Sequence, residues 1–183
     1  QFMDLKQTCV PDVLLLTPQV FGDSRGFFLE AWNKTTYANC GITDDFVQLN
    51  HSLSKRGILR GLHFQYNFPQ GKLVRVLQGE VFDVAVDLRR DSNYYGKWTG
   101  HILNSENHRQ LWIPKGFAHG FCVLSEEAHF EYLCTDFYRP EDEGVICWSD
   151  PQIGINWPSN APLLSKKDAE APTLKEIESQ LRF

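Results

Sequence analysis

The sequence predicts an all-β fold built as an antiparallel sandwich or barrel. Short apolar runs of strand length follow one another at roughly even spacing, and residues typical of turns separate them. Only two helices are expected, over 34–39 and over 174–181 near the end of the chain. Because no helix of crossover length lies between the strands, a parallel α/β sheet is disfavoured.

The predicted strands are the apolar runs themselves, which cover 13–16, 26–32, 46–53, 58–65, 72–78, 81–88, 98–103, 110–113, 119–124 and 129–138. Gly79 separates two of these runs and predicts a hairpin between them. Along 81–88, side-chain alternation places Asp83 and Asp87 on the opposite face from Val84. Polar groups would then line the interior of a small barrel, whose mouth is the usual place for a ligand.

Length and charge limit the classes of partner. The 183 residues, 42% hydrophobic and 22% charged, are typical of one globular domain, and we expect a single domain over 1–183. The formal net charge of −5 disfavours a surface for nucleic acid or for an anionic membrane. No apolar run approaches the roughly 20 residues that a membrane-spanning helix needs. We therefore expect neither nucleic acid nor a membrane among the partners.

The cysteines indicate a reducing compartment. They are an odd number and contain no Cys-x-x-Cys pair: Cys9, Cys40, Cys122, Cys134 and Cys147. This pattern disfavours both a disulfide framework and a zinc site built from cysteines. The start of the sequence has no signal-peptide pattern, so a cytoplasmic location is expected.

Several common catalytic motifs are missing from the sequence. It contains no Gly-x-Gly-x-x-Gly, no Walker loop, no Gly-x-Ser-x-Gly and no His-Glu-x-x-His. A glycine loop that cradles phosphate and a serine hydrolase are therefore both disfavoured. An anionic ligand would have to be held by a few placed cations.

Two segments resemble the paired motifs of the cupin superfamily, whose fold is a double-sheet jelly roll. The first is Gly-Ile-Leu-Arg-Gly-Leu-His-Phe-Gln over 57–65, followed by Lys72, and the second is Pro-Lys-Gly-Phe-Ala-His over 114–119. Metal-binding cupins supply three histidines and a glutamate from these motifs. Here His63 and His119 remain, but Gln65 and Lys72 stand at the other two positions. A cation in place of a carboxylate disfavours a divalent metal, so we expect no metal and no cofactor.

Longer blocks narrow the resemblance to the dTDP-4-dehydrorhamnose 3,5-epimerase family. They lie at 46–52, 59–65, 71–76, 79–87, 113–121 and 150–158, and the resemblance runs from about 13 to about 168. It implies an isomerase that inverts carbons 3 and 5 of dTDP-4-dehydro-6-deoxy-D-glucose to give dTDP-4-dehydro-L-rhamnose. Such an enzyme belongs to dTDP-L-rhamnose biosynthesis, which supplies cell-surface polysaccharides. Leu49 and the segment 145–147 depart from the family pattern.

The resemblance also implies four catalytic residues. Epimerisation beside a ketone needs a base, a group that stabilises the enolate and an acid on the opposite face. Histidine is the usual general base in enzymes, so His63 is the natural base here, and Asp168 matches the family carboxylate that orients it. Lys72 would stabilise the oxyanion in place of the lost metal, and Tyr132 matches the family acid.

The residues that match the family's substrate contacts are Arg25, Glu30, Gln48, Asn50, Arg60, His119, Glu143 and Lys167. The guanidinium groups of Arg25 and Arg60 suit a diphosphate, because a guanidinium can bind two oxygens at once. Phe21 and Phe28 are both available to stack on the base. The family resemblance implies a homodimer with exchange of N-terminal strands, in which Arg25 and Glu30 act across the interface.

Two questions stay open from the sequence. Strict alternation places Arg60 and His63 on opposite faces, so both can serve one site only if Gly61 marks a bulge. The same fold and ligand also suit a mono-epimerase acting at carbon 3 or carbon 5 only, or a 3,4-ketoisomerase. A metal-dependent cupin oxygenase and a non-catalytic sugar-nucleotide binding module are the alternatives from other classes.

Overall fold

The computed structural model describes residues 3–183. Its strands are β1 (Met3–Gln7), β2 (Leu14–Pro18), β3 (Val20–Asp23), β4 (Gly26–Leu29), β5 (Gln48–Lys55), β6 (Leu59–Gln65), β7 (Lys72–Gln78), β8 (Glu80–Asp87), β9 (Trp98–Asn104), β10 (Gln110–Ile113), β11 (Phe117–Val123), β12 (Glu127–Cys134) and β13 (Glu143–Val145). The helices are α1 (Lys34–Asn39), α2 (Lys166–Ala169) and α3 (Leu174–Ile177), with 3₁₀ turns at Pro140–Asp142 and Glu178–Gln180.

These strands form two large antiparallel sheets and one separate hairpin. The six-stranded sheet has the order β1-β2-β10-β7-β12-β5, and the five-stranded sheet has the order β13-β6-β11-β8-β9. The hairpin β3–β4 pairs only with itself. The all-β prediction is confirmed, and the two sheets form the jelly roll that the cupin resemblance implied.

The main core lies between the two sheets. Its buried side chains include Val74, Val76, Ala85, Leu111 and Phe130. A second core lies on the outer face of the five-stranded sheet, where Val84 and Val86 pack beneath C-terminal residues such as Leu174 and Ile177. Successive residues of β8 thus enter different cores, as their alternation predicted.

The turn at Gly79 is the clearest difference from the predicted topology. Gly79 joins β7 to β8, but β7 belongs to the six-stranded sheet and β8 to the five-stranded sheet, so the predicted hairpin is wrong. The glycine has φ +87°, and an added Cβ would lie 2.1 Å from the carbonyl oxygen of Glu127. A glycine between two strands fixes a tight turn, and the sequence alone does not tell a hairpin from a corner between sheets.

Helix α1 occurs where the sequence predicts it. The Asn33 side chain accepts hydrogen bonds from the backbone N–H groups of Thr35 and Thr36, which fixes the start of the helix. The predicted C-terminal helix is shorter, because α3 ends at Ile177 and continues as a 3₁₀ turn. None of the helices within residues 3–183 combines the length and apolar character that a membrane crossing requires.

The predicted strands at 26–32 and 129–138 are too long. Strand β4 ends at Leu29, and β12 ends at Cys134, after which the chain forms part of the rim of a cavity. Strands β1, β3 and β13 and helix α2 were not predicted. Each is five residues or shorter, so it gives little periodic signal in the sequence.

Candidate active site

A cavity of about 310 Å³ opens between the two large sheets. Its walls come from β5, β7 and β12 of the six-stranded sheet and from β6, β11 and β13 of the five-stranded sheet. The predicted site residues that line it are Gln48, Asn50, Arg60, His63, Lys72, His119, Tyr132 and Glu143. Residues from motifs far apart in the sequence therefore meet in one cavity.

His63 and Asp168 form a hydrogen-bonded pair on one wall. The Nε2 atom of His63 lies 2.7 Å from Oδ1 of Asp168, and the backbone N–H of Gly61 donates to Oδ2 at 3.1 Å. Burial by itself raises the pKa of Asp168, but the hydrogen bond and charge of His63 outweigh it, so the pKa lies below its usual range. The carboxylate therefore stays ionised and orients the imidazole.

A β-bulge brings Arg60 to the same cavity as His63. His63 pairs with His119 of β11 while Arg60 pairs with Phe121, so three steps along β6 match two along β11. Gly61 has φ +129°, and an added Cβ would lie 2.7 Å from the Cα atom of Gly120. The bulge that the sequence required at Gly61 is confirmed.

Lys72 places a buried amine inside the cavity. Its Nζ atom lies 5.6 Å from the centre of the Tyr132 ring. Burial lowers the pKa of this amine, and the nearby acidic groups of Cys134 and Asp83 oppose that shift. A cation held here without bulk water interacts strongly with any negative charge that forms on a ligand.

Tyr132 lies on the wall opposite His63, because β12 and β6 belong to different sheets. Burial raises the pKa of the Tyr132 phenol, while a hydrogen bond with Asn50 lowers it to a smaller extent. The Asn50 side chain accepts a hydrogen bond from Gln48 Nε2 at 3.0 Å. The phenol therefore keeps its proton at neutral pH and can act as an acid.

His119 makes a second pair with a carboxylate. Its Nε2 atom lies 2.7 Å from Oδ1 of Asp83, and its ring stacks on Phe130 with centroids 5.8 Å apart. Strand alternation placed Asp83 on the opposite face of β8 from Val84 and indicated no partner for its carboxylate. The direct contact is with His119.

The mouth of the cavity is lined by residues from several loops. Lys167 makes an ion pair with Glu143, and the Tyr138 side chain hydrogen-bonds to Glu143 as well. The backbone N–H of Tyr138 donates to Gln48 Oε1 at 2.9 Å. Tyr138 was not among the predicted site residues, although the sequence predicted it as the last residue of the strand over 129–138; in the structure it lies beyond the end of β12.

Gln65 does not present its amide to the cavity as a metal ligand would. Its Nε2 atom donates to the carbonyl oxygens of Phe68 at 2.7 Å and Phe137 at 3.1 Å, and its Oε1 atom accepts from the N–H of Arg139 at 2.7 Å. The buried amide thus joins the two loops that form the rim. Within residues 3–183, no three His, Cys, Asp or Glu side chains converge in a metal-binding arrangement.

Arg25 and Glu30 are not brought to this cavity. Arg25 lies at the turn of the β3–β4 hairpin, where its side chain is exposed and pairs with Asp23. Phe21 and Phe28 lie opposite each other on the same hairpin and are also exposed. The cavity lining within one chain therefore lacks Arg25 and Glu30, and Lys167 meets it only through the ion pair with Glu143.

The remaining arrangement is suited to proton transfer at carbon. A histidine oriented by a carboxylate faces a phenol across the cavity, and a buried amine lies beside that phenol. Such a site can remove a proton next to a carbonyl, stabilise the enolate and return a proton from the other side.

A model of the family described as dTDP-4-dehydrorhamnose 3,5-epimerase matches residues 7–176. The chain belongs to the dTDP-4-dehydrorhamnose 3,5-epimerase family. A relative of that name from Pseudomonas aeruginosa is 54% identical over 178 residues, which are 96% of this chain and 98% of the relative. One from Neisseria gonorrhoeae is 55% identical over 183 residues, which are 99% of this chain and 56% of the relative.

Solved structures of the epimerase family have the same fold. The dTDP-6-deoxy-D-glucose-3,5-epimerase of Legionella pneumophila, crystallised with dTDP-4-keto-L-rhamnose, superposes with a TM-score of 0.96 at 50% identity. The match covers 100% of this chain and 99% of that chain. The resemblance found in the sequence motifs is therefore confirmed.

Proposed function

We propose that this protein is a 3,5-epimerase that converts dTDP-4-dehydro-6-deoxy-D-glucose to dTDP-4-dehydro-L-rhamnose. The observation that carries the proposal is the His63–Asp168 pair facing Tyr132 across a cavity that also contains the Lys72 amine. Membership of the epimerase family supports the same reaction, and so does the product named in the Legionella pneumophila complex.

In the first step His63 removes the proton from a carbon next to the ketone. The electron pair of the broken C–H bond moves onto the ketone oxygen, and the ring becomes an enolate. Asp168 stabilises the imidazolium that forms, because its buried carboxylate is already ionised and bound to the ring. The substrate's own carbonyl accepts the electrons, so the step needs no other oxidant or reductant.

Lys72 stabilises the negative charge on the enolate oxygen. In a buried site a fixed cation of this kind lowers the barrier by about 3–4 kcal/mol. Tyr132 then gives a proton to the carbon from the opposite face, which inverts its configuration. Once His63 has released its proton to solvent and Tyr132 has regained one from solvent, the same steps at the second flanking carbon complete the isomerisation.

The diphosphate and the base bind towards the mouth of the cavity. Arg60 and Lys167 supply positive charge there, and Gln48 and Asn50 supply amides. We further propose that the protein works as a homodimer with N-terminal strand exchange, in which Arg25 and Glu30 complete the site of the partner. The exposed hairpin supports this arrangement, since Phe27 is 63% exposed and Phe28 is 69% exposed.

Incubation with the ketosugar in heavy water tests the reaction. We expect deuterium at both carbons that flank the ketone, and a product of the L-rhamno configuration, as read by NMR. The His63→Asn variant should lose proton exchange by about 100-fold or more while it still binds dTDP.

Other outcomes would identify the alternatives. Deuterium at one carbon only indicates a mono-epimerase, and a displaced carbonyl indicates a 3,4-ketoisomerase. Tight dTDP binding by the wild-type protein without any exchange would indicate a non-catalytic binding module and would overturn the proposal.

A further inference from the structure

The second carboxylate–imidazole pair, Asp83 and His119, has no task in the mechanism above. Asp83 lies on β8 and is fully buried, and His119 lies on the adjacent strand β11 with 6% of its surface exposed. The distance between His119 Nε2 and Asp83 Oδ1 is 2.7 Å. The other oxygen of Asp83, Oδ2, is buried without a hydrogen-bond partner in the described residues.

This contact determines which nitrogen of His119 carries hydrogen. An ionised carboxylate only accepts hydrogen bonds, so the hydrogen of the neutral ring must be on Nε2. Burial lowers the pKa of His119, and the charges of Lys72 and His63 lower it further, against the opposing effect of Asp83. The ring therefore stays neutral at physiological pH, with a lone pair on Nδ1.

The free nitrogen is available to a ligand. The His119 ring lines the cavity, and among the hydrogen bonds within residues 3–183 the one made by this ring is that of Nε2 with Asp83, which leaves Nδ1 unused. A lone pair accepts a hydrogen bond and cannot donate one. Phosphate and ketone oxygens are themselves acceptors, so they cannot bind there, whereas a sugar hydroxyl can.

We propose that Asp83 is a positioning residue that holds His119 in the Nε2–H form, so that Nδ1 accepts a hydrogen bond from a hydroxyl group of the hexose. The inference rests on the proposed function, since it assigns His119 to the sugar and not to the diphosphate of the same substrate. This role of His119 differs from the role of His63. Both oxygens of the carboxylate that binds His63 have hydrogen-bond partners, and the His63 ring is more exposed than that of His119.

The Asp83→Asn variant tests this assignment, because its amide can donate to Nε2 and move the ring hydrogen to Nδ1. ¹⁵N NMR of the whole enzyme, labelled at histidine, should show Nε2–H for His119 in the wild type and Nδ1–H in the variant. Loss of the signal in His119→Gln assigns the resonance. The KM for the ketosugar should rise about fivefold or more, while the Kd for dTDP, which has no hexose, should change less than twofold.

Asp87→Asn is the matched control. Asp87 is an equally buried carboxylate on β8, but it binds Arg89 and Ser92 and not a histidine. This variant should lose stability without a change in the His119 tautomer or in the ratio of ketosugar to dTDP affinity.

A second pair of variants keeps the test open if Asp83→Asn does not fold. His119→Gln carries an amide oxygen that accepts a hydrogen bond, so it should bind the ketosugar more tightly than His119→Leu does.

Equal loss of dTDP and ketosugar binding, an Nδ1–H ring in the wild type, or the same effects in Asp87→Asn would overturn the inference. Loss of deuterium exchange at only one of the two carbons that flank the ketone, in a His119 variant, would also overturn the inference, because His119 would then be a second base. A wild-type protein without exchange would refute the proposed function instead, whichever tautomer NMR finds.

Discussion

In the proposed mechanism His63 and Tyr132 have opposite proton-transfer roles, and the two residues come from different sheets. If Tyr132 is the acid, Tyr132→Phe should stop inversion more than it stops the first deprotonation. The imidazolium of His63 can return a solvent-derived proton to the face from which it was taken. In heavy water, recovered substrate should therefore contain deuterium although product formation falls about 100-fold or more. An equal fall in both quantities, measured by NMR, would assign the acid role elsewhere.

The buried amine of Lys72 has a proposed role in catalysis and lowers the stability of the fold. Burial of an amine in a cavity is unfavourable unless nearby groups compensate it, as the lowered pKa of Lys72 indicates. Lys72→Met should lower kcat by about 100- to 1,000-fold while it raises the melting temperature. Calorimetry and steady-state kinetics on the same preparation check both effects. A variant that is less stable than the wild type and equally active would contradict the role of the ammonium.

The two loops that form the rim of the cavity are joined by side chains at their bases. Asp142 accepts hydrogen bonds from the backbone N–H groups of Asn67 and Phe68 and from the Asn67 amide. Together with Gln65 it holds the loop that carries Tyr138. The position of Tyr138 at the mouth therefore depends on residues that do not themselves reach the ligand.

Asp142 should make stability depend on pH. Burial by itself raises its pKa, but the hydrogen bonds of Phe68 and Asn67 outweigh that effect and hold the pKa below its usual range. Because the folded value lies below the unfolded one, the stabilisation is complete above the unfolded pKa and is lost as pH falls through the folded pKa. Asp142→Asn should cost about 2 kcal/mol near neutral pH and much less in strong acid, as measured by urea unfolding.

Glu141→Gln is the control for that pH dependence, because Glu141 is an exposed neighbour. Its unfolding free energy should match the wild type at each pH. An Asp142→Asn deficit that is the same at all pH values would mean that the charge of Asp142 is not what holds the loop.

Much of the architecture was predictable from local patterns. The strand over 72–78 and the helix over 34–39 have the bounds that alternation and capping predicted. The error at Gly79 arose because one glycine turn serves a hairpin and a corner between sheets equally well. The short strand β13 was missed because it is defined by its pairing with β6, which the local sequence does not encode.

The part of the site that lies in sequence motifs was predictable. His63, Lys72 and His119 lie in motif blocks, and the structure brings them into one cavity. The pairing of Asp83 with His119 was not predicted, since the two residues are 36 positions apart and meet only when β8 and β11 pair. Arg25 lies outside the cavity of its own chain. A single sequence does not reveal whether a residue that matches a substrate contact reaches the cavity of its own chain.

The outer face of the six-stranded sheet exposes apolar side chains that a monomer would leave in water. Leu49 on β5 is 59% exposed and Leu53 is 48% exposed. An exposed apolar stripe of this kind is typical of a protein interface, and it is compatible with the homodimer proposed above.

Mixing two inactive variants tests whether Arg25 acts across that interface. Arg25→Ala and His63→Asn subunits, unfolded together and refolded, should recover about a quarter of wild-type activity. The reason is that about half of the dimers are mixed, and each mixed dimer has one intact site. Mass spectrometry of differently tagged subunits verifies mixing. Mixed dimers without activity would place Arg25 in the site of its own chain, and an Arg25→Ala homodimer with full activity would place it outside any site.

The contact between Gly61 and Gly120 has a consequence for how this protein tolerates mutation. A methyl group added at Gly61 would lie 2.7 Å from the Cα atom of Gly120, and one added at Gly120 would lie 2.8 Å from the carbonyl oxygen of Arg60. Relief of either clash would separate β6 from β11 and displace the amide that binds Asp168. Two residues without any reactive group should thus prove as intolerant of replacement in a saturation screen as His63, the proposed base.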